Sequence, residues 1–511
     1  MSENTPRYKH TDAAAGQILF LNVNLREQLI PGTFEYMLNE LIGTKIDISD
    51  FDQNYKNDKT GASAIPPEVL IKLIIFGYYK GQLSSRKICN LNNENMVAKA
   101  LTGDMNIHWT TIARFISTNE ERFKIVFVKV LIYCNELGLI GGENYALDGL
   151  RLPSNASIEN SGTKEQLEKR LQVYRNMAQK HLKRHLKKDE QGETDEQEQQ
   201  RFEKRQKHLQ RQIEKLDSFV AVMEDKIGKE GQALQSNVTD NESAMIHSSK
   251  GIIQGYNAQA VVDQKNQIIV SAEAFGTANE GEHLPVLVDS AIENLQMAGF
   301  TAENEERPVV LCDANYFSEG NLRACEEREI EAIIPGTQKK RQADTDGNKK
   351  YDAHDFTYDE NEKKCVCPNG KELEYKGTTN LRGGEHEIYQ ARLPDCKCCP
   401  YFSQCTWSKK EQSEITQGRK LLIKIGKKPG EPVAPLCKKM QEKLETEEYQ
   451  AIYAYRIQIV EPVFANIRYC KGLDRFTLRG KKKVNGQWQL YCIVHNLGKC
   501  LNGYNEEKKC A

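Results

Sequence analysis

From about residue 17 to 140 the apolar positions recur at helical spacing. Pro66-Pro67-Glu68 opens one helix, since proline is tolerated in a first turn and an acid is favourable at the positive end. Val69, Leu70, Leu73, Ile74 and Phe76 make its buried side. Ser85–Leu91 and Glu94–Leu101 predict two more helices. His108-Trp109-Thr110-Thr111 opens a fourth, where a threonine accepts from orphan amides. Short helices joined by tight turns predict a helix-turn-helix-like bundle, with Ser84, Arg86, Lys87, Thr110, Thr111 and Arg114 set against DNA. An ordinary helical domain fits the same spacing.

The pattern then changes. Tyr145-Ala146-Leu147-Asp148 reads as a strand ending before Gly149. Residues 162–228 are almost uninterrupted Lys, Glu, Gln and Leu. Leu167, Leu171 and Tyr174 mark one apolar stripe, and Leu209, Ile213, Leu216, Val220 and Met223 mark another at heptad-like spacing. With the polar break Asp189–Glu196 between them, these stripes predict an antiparallel helical hairpin.

Beyond the hairpin, Tyr256–Val262 and Gln267–Ala274 alternate as strands around the turn Asp263–Asn266. Glu282–Gly299 reads as a helix, Arg307–Cys312 as a buried strand ending at Asp313, Ser318–Arg328 as a helix, and Ile330–Ile334 as a further strand. Residues 336–445 read as loop-rich and hold a cysteine cluster. A long helix, Thr446–Tyr469, leads to an expected strand pair around Arg475–Leu478 and Trp488–Gln489, and Leu490–Leu501 closes as an apolar helix.

Composition narrows the class. A chain of 511 residues, 39% hydrophobic and 28% charged, has room for two to four soluble domains. No apolar run approaches the roughly 20 residues that cross a bilayer. MSENTPRYKH lacks the basic-then-apolar pattern of a secretion signal. A cytoplasmic, bacterial, nucleoid-associated protein is therefore expected, with its 15 cysteines reduced. Net charge is only −1, yet basic residues crowd into Lys180–Lys188, Arg201–Lys215 and Arg479–Lys483. Each run reads as a solvated face or as a DNA contact.

Without its two insertions the chain runs strand, strand, strand, helix, strand, helix, strand, helix. Asp148 lies at the first strand, Asp313 just beyond the fourth, and Glu461 on the late helix. That order predicts an α/β ribonuclease-H-like fold with an Asp-Asp-Glu metal site. Two magnesium ions about 3.5–4 Å apart can clamp an in-line displacement at phosphorus, and they need only two or three carboxylates. On the late helix, Tyr453, Ile457, Val460, Phe464 and Ile467 recur as a core face. Glu461, Arg468 and Arg456 flank it, and Pro462 predicts a kink.

The chain resembles the DDE transposases of bacterial insertion sequences, near the insertion sequence 1182 branch, from Phe20 to His495. The resemblance rests on AIPPEVLIKLIIFGYYKGQLSSRKI, LDGLRLPSNAS, GYNAQAVVDQKNQIIVSAEA, CDANYFSEGNL and YAYRIQIVEPVFANIRYCKGLDRFTLRG. The last stretch is also similar to a Tyr-Arg-Glu-Lys signature of related transposases, whose roles fall to Tyr453, Arg456, Glu461 and Arg468. Arg468 stands where lysine is usual, and four residues rather than three separate Arg456 from Glu461. Arginine keeps the charge and can bind phosphate bidentately.

The resemblance implies Asp148, Asp313 and Glu461 as catalytic ligands of Mg2+ or Mn2+. It implies Tyr453, Arg456 and Arg468, with Arg86, Lys87, Thr110 and Arg114, as DNA contacts. The implied partners are double-stranded DNA, as terminal inverted repeats and target, and a second copy in a synaptic homodimer. The implied layout is a helical DNA-binding domain at 1–140, a core at 141–335 holding the hairpin, a Cys-rich insertion at 336–445, and the rest of the core at 446–511.

Zinc takes four tetrahedral thiolate or imidazole ligands, often from paired loops. Cys396-x-x-Cys399 is the usual pair, and Cys367 with Cys405 completes four, a choice that also fits the resembled family's pattern. Cys365 and Cys398 are then spare, and free thiols are the alternative. Asp240 reads as a turn cap or a neighbour of the site, and His495 as a satisfied core histidine. An active transposase is the leading expectation. A transposase-derived DNA-binding protein without catalysis, or a stand-alone nuclease, is the alternative.

Overall fold

A central mixed sheet positions the chemistry. The computed structural model describes residues 24–55, 63–191, 195–228, 231, 233–248, 251–302, 307–336, 351, 355–359, 362–381, 384–405, 411–424 and 435–510. MSENTPRYKH, Phe20 and residues 192–194 of the polar break lie outside these.

Strand β1 (Asn144–Pro153) runs antiparallel to β3 (Gly251–Asp263) and parallel to β5 (Val309–Cys312). β6 (Glu331–Ile333) adds parallel to β5. On the other side β3 pairs antiparallel with both β2 (Ala244–Ser248) and β4 (Ile269–Phe275). The order β6-β5-β1-β3-β4 fits a ribonuclease-H-like fold. Buried β-branched and small residues on both faces of β3 and β4 keep this sheet sandwiched between helices.

Helices α1 (Phe34–Leu41), α2 (Pro67–Tyr79), α3 (Ser85–Glu94), α4 (Met96–Thr102), α5 (Trp109–Thr118) and α6 (Glu120–Glu136) precede the sheet. α2 is buried on nearly every side from Leu70 to Tyr78, as a helix central to its domain must be. A Cβ at Gly77 would stand 2.8 Å from Ile88 Cγ1, so glycine permits the close approach of α3. His108, rather than a threonine, caps α5, its Nδ1 accepting from the Thr110 amide at 3.4 Å.

The hairpin is formed by α7 (Lys164–Glu190) and α8 (Glu196–Val222). Thr163 and Gln166 make a reciprocal capping box at the start of α7, and Asp195 caps α8. Leu167, Leu171, Leu216, Val220 and Met223 form a separate core near its base. After β4 come α9 (Leu284–Met297) and α10 (Glu319–Glu326), with Ser318 capping the latter.

The region expected to be loop-rich instead contains an antiparallel sheet. Its strands are β7 (Thr357–Asp359), β8 (Lys364–Val366), β9 (Glu372–Leu381), β10 (Gly384–Gln390) and β11 (Lys420–Lys424). Its core is small: Phe356, Cys365, Leu373, Tyr389, Ala391, Leu421 and Ile423. α11 (Pro435–Leu444) returns to the main core, where Lys443 Nζ pairs with Glu331 Oε1 at 2.6 Å.

α12 (Glu447–Ala465) carries Pro462 inside it. Proline has no amide hydrogen for the Gln458 carbonyl one turn back, and Gln267 Nε2 supplies the missing donor at 2.9 Å. A π-helical turn, Asn466–Cys470, follows.

The expected strand pair at Arg475–Leu478 and Trp488–Gln489 does not form. Trp488 and Gln489 belong to one 30-residue helix, α13 (Lys481–Cys510), which packs on α6, α2 and β4. Its amide side chains explain the difference. Asn485 Oδ1 accepts from Ala274 N at 3.0 Å, Gln489 donates to Ala272 O, and Asn496 bonds both N and O of Ile269 at 2.9 Å. These groups satisfy the outer backbone of β4, an edge strand that pairs with no other strand but β3 among the described residues. No helix among the described residues is long and apolar enough to cross a membrane.

His495, also on α13, is buried and bonded to the Gln267 carbonyl oxygen at 3.0 Å. Burial first, and Lys499 and Lys471 with it, push its pKa down to about 4, against the opposing pull of that hydrogen bond. The unfolded chain therefore binds a proton between about pH 6.5 and 4 that the folded chain refuses. Stability is expected to fall by roughly 3 kcal/mol as pH drops through that window. Urea midpoints from pH 7 to 4 check this: His495→Gln should flatten the slope, and an unchanged slope would contradict it.

Candidate active site

Asp148 projects from β1 and Asp313 stands one residue beyond β5, so two adjacent parallel strands deliver two carboxylates to one cleft of about 290 Å3. Gly149 N donates to Asp148 Oδ1 at 2.8 Å, and Arg456 Nη2 donates to Asp148 Oδ2 at 2.6 Å. Burial raises the Asp148 pKa to about 6 despite Arg456, and the charges of Asp313 and Glu280 push it the same way. Asp313 is raised too, chiefly by burial. Its two oxygens accept from the backbone and side-chain nitrogens of Asn315 at 2.9 and 3.0 Å.

Among the residues of the cleft that escaped the sequence reading, Arg151, Glu280 and Asn315 hold the acids in place. Glu280 is buried and clamped by Arg151, whose Nε and Nη2 donate to its two oxygens at 2.6 and 3.0 Å. Asn315 reaches Glu280 Oε2 at 3.4 Å, bridging the two acids. Arg151 and Asn315 lie in quoted stretches, LDGLRLPSNAS and CDANYFSEGNL, close to the aspartates; Glu280 had no signal beyond its place before a helix.

α12 meets the cleft from the side. Tyr453 is half-buried, and Asp313 and Asp148 add to the burial that raises its pKa. Arg456 is 12% exposed, with its Nε buried and unpartnered. Arg468, carried by the π-helical turn, lines the cleft with Asp474. Glu461 is not among the cleft-lining residues. It is exposed, and among the described residues nothing holds it by a hydrogen bond or ion pair. Of the expected acid triad, two members are brought together and the third stands apart. No three His, Cys, Asp or Glu side chains among the described residues are arranged to hold a metal ion.

In the helical domain Arg86, Lys87, Thr110 and Arg114 are all exposed. The Arg86 guanidinium lies over the Trp109 ring at 4.5 Å, joining the N-terminal ends of α3 and α5. Asp240 is buried away from the cleft, where its Oδ1 accepts from Tyr256 OH at 2.8 Å and Gly480 N at 3.2 Å.

Of the four singled-out cysteines, Cys367, Cys396 and Cys405 pack against the small core of the second sheet. Cys396, Cys399 and Cys405 line one cavity, with Arg419 beside them. Arg419 N donates to Cys396 Sγ at 3.4 Å. Burial, with Cys396, Cys399 and Cys367 adding, pushes Cys405 up to about 11. Cys365 is buried in the small core and Cys398 is exposed.

Two family models match the chain. Residues 366–501, which include Arg456, Glu461 and Arg468, match the family described as Transposase DDE domain. Residues 23–118, which include Arg86 and Arg114, match the family described as Transposase domain. Asp148 and Asp313 lie outside both segments. No curated protein matches the chain. Both matches are thus to transposase families, one over the helical domain and one over the Cys-rich insertion with the second part of the core.

Proposed function

We propose that the protein cleaves DNA at the terminal inverted repeats of a mobile element and joins the freed ends to target DNA. The observation that carries this reading is the convergence of Asp148 and Asp313 on one cleft, with Arg456 and Arg468 beside them. Carboxylate oxygen is the donor that Mg2+ or Mn2+ prefers, so Asp148 and Asp313 would hold such an ion, and Glu461, exposed and outside the cleft, would have to move toward it to serve as a third ligand. An ion held by Asp148 and Asp313 would supply Lewis-acid activation of the attacking oxygen and charge stabilisation of the leaving one.

The chain's own residues do the remaining work. Arg456 neutralises Asp148 while no cation is there. Arg468 holds a phosphate at the mouth of the cleft. Arg151 and Asn315 fix Glu280 and Asp313, so the acids do not swing apart. Arg86, Lys87, Thr110 and Arg114 bind the repeats through a helix-turn-helix-like surface, and two copies pair to bring two ends together.

The exposure of Glu461 favours the second reading, a transposase-derived protein that binds DNA without cutting it. Strand cleavage of a labelled duplex carrying the element end, with Mg2+, separates the two. Wild type should cut, and Glu461→Gln should bind as well yet cut at least about a hundredfold more slowly. Binding without cleavage by the wild type would leave only the second reading.

Cys396, Cys399 and Cys405 on one cavity, with Cys367 packed against the same small core, support a structural zinc in the second sheet, although these thiols are not arranged as metal ligands in this structure. Thiolate is the right donor, the core there is small, and such modules gain folding energy from a metal. About one zinc per chain is expected on elemental analysis. Cys396→Ser should lose it and melt at a lower temperature, while Cys398→Ser keeps it. Metal-free wild-type protein of full stability would sink this assignment.

A further inference from the structure

Arg201, Lys204, Lys207, Arg211 and Lys215 follow one another at three- or four-residue intervals along α8. That spacing puts all five on one face, opposite the side that Phe202, Leu209, Ile213, Leu216 and Val220 turn inward. All five are exposed, and among the described residues none is ion-paired. This is unlike other charges of the hairpin, where Lys169, Arg175 and Lys188 pair with Glu165, Asp217 and Glu198. The row spans about 21 Å at a helical rise of 1.5 Å per residue.

The row does not end in solvent. Lys215, at the hairpin base, lies near enough to Arg479 for that charge to add to burial in lowering its pKa. Arg479 Nε bonds the Asn155 carbonyl at 2.7 Å, and Arg475 bonds the Ser154 carbonyl at 3.0 Å. Pro153 and Asp474, next to these, line the cleft together with Arg468, so an acid stands among the cations at the cleft mouth. Cations thus continue from the cleft mouth through Arg475 and Arg479 to Lys215 and along α8. A line of like charges without counter-ions is unfavourable alone and favourable beside a polyanion.

We infer that this row is a DNA-backbone track, which carries duplex leaving the cleft along the hairpin by phosphate contacts and without reading sequence. Successive cations lie about 5 Å apart along the helix axis, so each can meet a different phosphate of a strand whose charges repeat about every 3.4 Å of duplex. The inference rests on the DNA-processing reading above and adds to it where the DNA runs.

The test is the salt dependence of binding to a random-sequence duplex of about 40 base pairs, by fluorescence anisotropy. The protein is compared with the variant Lys204→Gln, Lys207→Gln, Arg211→Gln, Lys215→Gln. Loss of four phosphate contacts should lower the slope of log K against log salt by about 3 to 4, and affinity at 0.1 M salt by more than about tenfold. Neutralising exposed Lys438 and Lys439 on α11 should leave both unchanged. Circular dichroism checks folding, and the pair Lys207→Gln, Arg211→Gln serves if the fourfold variant unfolds, with a slope change of about 2 expected. Wild-type binding with an unaltered slope in the folded variant overturns the track alone. Wild type that binds no duplex at any salt overturns the track and the DNA-processing reading together.

Discussion

Asp148→Asn is expected to cut strand cleavage at least about a thousandfold while leaving DNA binding intact. Charge stabilisation at phosphorus through a bound metal is worth several kcal/mol, and an amide offers one neutral oxygen where a carboxylate offered two charged ones. The substitution keeps the shape of the site, including an acceptor for Gly149 N. It also removes a carboxylate that burial holds at a raised pKa of about 6. That gain is offset because Arg456, only 12% exposed, loses its ion-pair partner, so the metal-free variant should stay folded but melt somewhat lower than wild type. Asp313→Asn should behave alike. Parallel cleavage assays and melting curves check this. A variant that loses cleavage by unfolding, or that cuts normally, would remove Asp148 from the mechanism.

Trp488→Ala carries the largest expected loss of stability, about 3–5 kcal/mol. Trp488 is fully buried on α13, and its Nε1 donates to the Gln259 carbonyl at 3.0 Å. Truncation leaves a cavity under the sheet and a buried carbonyl without that donor. Trp488→Phe fills most of the cavity but still loses the hydrogen bond, and should cost about 1–3 kcal/mol. Urea denaturation followed by circular dichroism measures both. A cost under about 1 kcal/mol for the alanine variant would mean that the site collapses around the loss, contrary to the close packing described.

Much of the main sheet was legible because its strands are continuous apolar or β-branched runs, and their order with the intervening helices limits the topology. Asp148 and Asp313 were legible for the same reason: each marks where an apolar run stops. Glu280 was not. Its place in the cleft depends on Arg151, 129 residues away, and no local pattern records such a pairing. α13 was misread around Trp488 because valine, tryptophan and tyrosine suit strands, while the groups that hold the helix are amides bonding a strand over 200 residues earlier. The second sheet was read as loop because two of its strands are only three residues long and the others carry many charges. The DNA-facing residues were assigned from helix-turn-helix-like spacing and Glu461 from element order, both alongside resemblance to a family, and Glu461 has no geometric counterpart in the cleft.

The sealing of β4 by α13 bears on how the chain is made. Ile269 and the asparagine that caps it, Asn496, are separated by 227 residues. A ribosome adding roughly 5–20 residues per second needs about 10–45 s to cover that stretch. Throughout that interval the nascent sheet presents a bare hydrogen-bonding edge, open to any other strand nearby. Chaperone occupancy at this edge, or misassembly between neighbouring chains on one messenger, should then peak late in translation and end as the last helix emerges.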